Sequence, residues 1–149
     1  MLKTLQTAIF TKFNSAGGAT LRALVQGMWE DLAPSSKVSG TQYGTDVTNS
    51  VLPWITFTTV LTSLEQDTCS NIFLPLVQFT IFGDADNKKS DEVLDIGREF
   101  LSLYGDVILT LDNGYEMTRA DTVDNRKFID DDKKWQLVIT IEYTIQKDR

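Results

Sequence analysis

Residues 77–114 read VQFTIFGDADNKKSDEVLDIGREFLSLYGDVILTLDNG, and the order of elements in that stretch decides the fold. Val77, Phe79 and Ile81 alternate with Gln78 and Thr80, the period of a strand with one covered face. A polar loop from Gly83 to Lys89 follows. Ser90 is placed to cap a helix, and Asp91 and Glu92 stand where the positive end of its dipole favours acids. Val93, Ile96, Gly97, Phe100, Leu101 and Tyr104 then recur at spacings of three and four, so the spacing predicts a helix over 90–104. Glycine at position 97, inside that apolar stripe, costs the helix about 1 kcal/mol against alanine, which implies a close approach to the sheet. Gly105 ends the helix. Val107, Leu109 and Leu111 alternate with Ile108 and Thr110, predicting a strand over 106–111. Asp112-Asn113-Gly114 is a hairpin turn into a strand from Tyr115 through Met117 to Arg119.

The rest of the chain fits around this core. Trp135, Leu137, Ile139, Ile141, Tyr143 and Ile145 line one face of a long strand, with Gln136, Val138, Thr140, Glu142 and Thr144 on the other. Upstream, Pro53 leads into a strand over 54–61, and Ser63 to Ser70 reads as a polar turn. Pro75 confines any upstream extension of the 77–82 strand to an edge or a bulge. Leu2, Leu5, Ile9 and Phe13 share one face of an opening helix. A shorter helix is expected over Thr20–Gln26, then a brief strand or link at Met28–Leu32. Residues 33–52 and 121–134 are polar and lack a period, so both are expected to be loops that order against neighbours. The strands carry one apolar face and one rich in Thr, Gln and Glu. The fold class is therefore α+β: an antiparallel β-sheet with one face covered by two amphipathic helices, in a single domain spanning 1–149.

Composition excludes several kinds of chemistry. The chain has no histidine, which removes the usual neutral-pH general base, His-based triads and most zinc sites. Cys69 stands alone, so no internal disulfide forms, and it reads as a loop or buried thiol. The net charge of −7 argues against a nucleic-acid-binding surface, which needs clustered Lys and Arg. The run Asp130-Asp131-Asp132 is followed by Lys133 and Lys134 and lacks the alternating acids, glycine and distal Glu of a calcium loop, so it reads as a solvated loop. The Gly83 loop lacks the paired glycines and Lys-hydroxyl of a phosphate cradle. Glu116 and Asp121 are ordinary surface acids, and Trp29, Trp54 and Trp135 are core or interface anchors. No apolar stretch reaches the roughly 18 residues of a membrane span, and polar Thr4, Gln6 and Thr7 interrupt any secretory signal, so the expectation is a cytoplasmic chain.

In order and landmarks the chain resembles the tail-terminator (tail-completion) proteins of long-tailed bacteriophages. The landmarks are the helix at Leu2–Phe13, Pro53-Trp54 entering a Thr-rich strand, and the strand Val77–Phe82 running through a polar loop into the helix Ser90–Tyr104. They continue with the turn at Asp112-Asn113-Gly114, Arg119 beyond it, and the strand from Trp135 through Tyr143. The resemblance covers nearly the whole chain. It implies a virion subunit, assembled in the host cytoplasm, that forms a ring, commonly a hexamer, on the tail tube. Such a ring stops tube polymerisation and offers a surface to the head connector, while DNA passes through without sequence-specific binding. It implies no enzymatic activity, no cofactor and no metal. The partner-contact candidates are Asp130, Asp131 and Asp132, at a lumen or rim where like charge keeps phosphates mobile. The other reading of those acids is a merely soluble surface. Competing functions are another neck or head-closure protein and, in a different class, a small-ligand-binding module.

Overall fold

The computed structural model describes residues 1–31, 41–42, 45–46, 53–66, 71–84, 91–129 and 134–147. In chain order these form α1 (Leu2–Phe13), a 3-10 turn (Ala16–Gly18), α2 (Ala19–Leu24), β1 (Met28–Glu30), β2 (Thr41–Gln42), β3 (Thr45–Asp46), β4 (Trp54–Gln66), β5 (Asn71–Asp84), α3 (Asp91–Tyr104), β6 (Tyr115–Ile129) and β7 (Lys134–Lys147). Five strands make one sheet in the order β1-β4-β5-β7-β6, and β2 with β3 forms a separate antiparallel pair. The fold is α+β, with the helices on the sheet. One pair departs from antiparallel: β1 lies parallel to β4, because the chain crosses back before entering β4.

Register explains the core. Met28, Ile55, Ile81 and Leu137 fall in one row across four strands; Phe57, Phe79 and Ile139 fall in the next. All seven are buried on the helix side. The aromatic rings interlock the layers. Phe10 of α1 meets Phe57 edge-on at 5.1 Å, Phe79 lies 4.7 Å from Phe100, and Phe100 stacks on Tyr104 at 4.8 Å. Such pairs contribute about 0.5–1.5 kcal/mol each beyond area burial. The Tyr104 hydroxyl donates to the Ile9 carbonyl at 2.6 Å, fastening α3 to α1. Gly97 is the expected close approach: a Cβ there would run into Leu137 Cδ2. The end of α1 is closed by Arg22, whose Nη1 donates to the carbonyls of Phe13 (2.5 Å) and Ser15 (2.6 Å). The Phe13 carbonyl belongs to the last turn of α1, at the negative end of its dipole.

Pro75 sits at an irregularity, as the sequence requires. The β4·β5 register shifts between Leu61 and Leu64, and the β5·β7 ladder passes from Phe73 to Leu76.

Other expectations are corrected. Residues 106–111 form no strand. α3 has ended at Tyr104, the chain turns at Asp106 (φ 52°), and the segment runs beside β6 with side chains in place of a ladder: Asp106 Oδ1 accepts from Thr122 N at 2.9 Å, and Leu109 N meets Met117 Sδ at 3.2 Å. The turn itself is as read, with Asn113 (φ 60°) and Gly114 (φ 76°) both left-handed. Within the segment expected to be a polar loop, 121–129 is strand, the second half of β6. Its mixed polarity reflects an outer strand with both faces wet. Residues 63–66 likewise belong to β4. The face away from the helices is also partly closed: Trp29, Thr56, Thr80 and Val138 lie in one row there, all buried. Cys69, Ser90, Asp130, Asp131, Asp132 and most of 33–52 lie outside the described residues.

Candidate functional site

A strand at the end of a sheet leaves alternate backbone N–H and C=O groups facing outward, and these are the groups another chain can pair with. β6 is one such end. Its two halves differ. Beside residues 115–122 runs the 106–112 segment, held by the Asp106 and Met117 contacts and by Tyr115 N donating to Asp112 O at 3.3 Å. No described segment hydrogen-bonds through its backbone to the outer side of 123–129. Val123 is 53% exposed and Ile129 51% exposed, high values for large apolar side chains on a ladder-bonded strand.

Charge manages that edge. Arg119 pairs with Asp121 at 2.6 Å and Arg126 with Asp124 at 2.9 Å, each pair mostly exposed. Exposed pairs of this kind add about 0–1 kcal/mol to stability. Lys127 Nζ sits 5.4 Å from the Trp135 ring centre. Bulges at Met117/Arg119 and Thr122/Asp124 twist the strand further.

The opposite end is β1. Ile55 N donates to Gly27 O at 3.0 Å and Asp31 N donates to Phe57 O at 2.8 Å. Alternation then turns the backbone groups of Met28 and Glu30 outward. Asp31 follows in the left-handed region (φ 63°) and accepts from Thr58 Oγ1 at 3.2 Å. This end is acidic, whereas the open half of β6 presents Arg126 and Lys127.

The described residues hold no group of three or more His, Cys, Asp or Glu placed for a metal. Burial raises the ionisation of Tyr104 and Tyr143 far above the ordinary tyrosine range, so both stay neutral hydroxyls. Glu116 is exposed, and Asp121 is engaged with Arg119. Trp29 is fully buried. Trp54 packs against Phe82 at 5.7 Å with Lys134 Nζ over its ring, and Trp135 is half-buried. A groove of about 540 Å³ beside α1 is lined by Thr7, Phe10, Thr11, Asn14 and Ser15, with no ionisable side chain among these. No described helix is long and apolar enough to cross a membrane.

Sequence reasoning missed Asp124, Arg126 and Lys127 because it took the polarity of 121–134 for a loop. An outer strand wet on both faces leaves no alternation in the residues, so the sequence carried no signal for it.

No protein-family model matches the chain, and no curated protein matches it in sequence. A solved structure does match in fold. A chain of the "Virion of native gene transfer agent (GTA) particle" superposes with a TM-score of 0.74 over 98% of this chain and 97% of that one, at 10% identity. What the chain shares with that virion component, from end to end, is its fold.

Proposed function

We propose that this chain is a structural subunit of a phage-like virion that forms a ring, hexameric in the reading preferred here, on the end of the tail tube. The ring ends tube polymerisation and presents the surface that the head connector joins, and DNA passes through it without sequence-specific binding. The observation that carries this reading is the end-to-end fold likeness to a chain of a gene transfer agent virion. The resemblance of its landmarks to those of tail-terminator proteins supports a position at the end of the tail. The work is shape and charge complementarity, with no bond made or broken and no cofactor. Asp130, Asp131 and Asp132, in the connection between β6 and β7, are proposed contacts at the lumen or rim.

The test is deletion of the gene in the particle-producing strain. Tails should grow beyond their normal length or fail to join heads, and the gene supplied in trans should restore both. Tails of normal length, joined to heads, without this protein would sink the proposal. Normal-length tails that remain unjoined would point to a neck or head-closure role.

A further inference from the structure

We infer that copies of this chain join edge to edge through their sheets. The open half of β6 in one copy pairs with β1 of the next, in a single register that sets Lys127 opposite Glu30 and Arg126 opposite Asp31. The inference deepens the ring reading and rests on it. Strand direction permits the contact. β1 is parallel to β4, and each step from β4 through β5 and β7 to β6 reverses direction, so β6 runs opposite to β1. A neighbour in the same orientation therefore offers β1 antiparallel to β6, and the sheet continues from copy to copy. Because the two edges are different surfaces, the contact is head to tail, the kind that closes into rings.

Faces and charges select the register. Met28, Ile55, Ile81, Leu137 and Lys127 share a row on the helix face, so Glu30, two residues beyond Met28, is on that face too. Trp29, Thr56, Thr80, Val138 and Arg126 share a row on the other face, and Asp31, one residue past β1, sets its carboxylate on Thr58 of that face. Residues directly opposite each other in an antiparallel pair point to the same face. With Lys127 opposite Glu30, Arg126 falls opposite Asp31 and the exposed Ile129 falls opposite Met28. Both charge pairs are complementary, and two apolar residues meet. A two-residue slip one way sets Asp124 opposite Asp31, and the other way sets Ile129 opposite Glu30. A one-residue slip sends every side chain to the wrong face. The intrachain partners of Arg126 and Lys127 do not block the contact, since both contacts are exposed and cheap to exchange.

The test uses two variants of the full chain. The first, Arg126→Glu with Lys127→Glu, makes both edges acidic. The second, Glu30→Lys with Asp31→Asn, removes the acid from β1, and Asn tolerates the left-handed backbone at position 31. Thermal unfolding checks that both fold. In a deletion strain each variant alone should lower the yield of joined particles by about a hundredfold, because like charges face each other at every contact. Co-expression of the two should restore the yield, since each variant's edge then meets its complement. Purified and mixed at their highest soluble concentration, the two should sediment as larger species than either alone. Variants that each complement like wild type, in a strain whose deletion does disturb tails, would overturn edge pairing and leave the ring reading standing. If each fails alone and co-expression does not rescue, β6 serves another partner and the inference is wrong. If deletion disturbs nothing, the ring reading falls, and a mixture that stays at monomer mass overturns the pairing as well.

Discussion

Gly97→Ala measures how closely α3 lies on β7. In a solvated helix this change would stabilise by about 1 kcal/mol through helix propensity. Here the new Cβ would intrude on Leu137 Cδ2, and Leu137 is only 4% exposed, so its tip has no solvent to swing into. Overpacking of this kind costs about 1–3 kcal/mol. The two effects leave a net loss of about 1 kcal/mol, which for a chain of this length lowers Tm by about 2–4 °C. Shortening the neighbour gives the decisive comparison. Leu137→Val alone should cost about 1 kcal/mol by leaving a small void. Combined with Gly97→Ala, the losses should fall short of their sum by about 1 kcal/mol, because the Cβ occupies the space vacated. Urea unfolding of the four proteins supplies all the terms. If alanine stabilises by its full propensity in both backgrounds, with no coupling, the helix does not touch the sheet where we place it.

The two buried tyrosines should respond differently. Tyr104→Phe removes the donor to Ile9 O and should cost about 1 kcal/mol, whereas Tyr143→Phe removes a buried hydroxyl with no hydrogen-bond partner among the described residues and should be neutral or stabilising, both read by denaturant midpoint. Arg22→Ala strips two carbonyls at the end of α1 of a charged donor and should cost about 1.5–3 kcal/mol in the same assay.

The sequence was most legible where one periodicity was carried by many residues. The stripe from Val93 to Tyr104 and the alternation from Trp135 to Ile145 each predicted their element and its buried face, and a glycine in the stripe predicted a close approach to the sheet, which the structure makes against Leu137. Legibility failed at the sheet's margins. The alternation in 107–111 is that of a strand, yet Asp106 and Met117 satisfy the neighbouring backbone with side chains, and no ladder forms. At 121–129 a true strand was hidden because an outer strand wet on both faces has no apolar period to read. The candidate site lies on these margins, so its residues, Arg126 and Lys127 with Glu30 and Asp31, were less legible than the core. The pairing of β1 with β4 was invisible for another reason: three residues carry too little pattern to announce a partner across the 31–53 connection.

The position of β7 has a consequence for how the molecule comes into being. β7 follows β6 in the chain but lies inside it, between β5 and β6. As the polypeptide emerges during synthesis, β6 is made before the strand that will hold it, and β5 waits with one side bare. The hairpin of β4 and β5 can form early; the far half of the sheet cannot close until residues 134–147 have left the ribosome. Any chain that stops short of Lys134 lacks the backbone partner of both β5 and β6, along with the buried Leu137, Ile139, Ile141, Tyr143 and Ile145. Such nascent or truncated chains expose apolar strand edges that invite aggregation. The finished subunit, and with it the outer edge of β6 that we propose pairs with a neighbour, therefore exists only after release of this segment, so the order of the strands leaves incomplete chains without that edge.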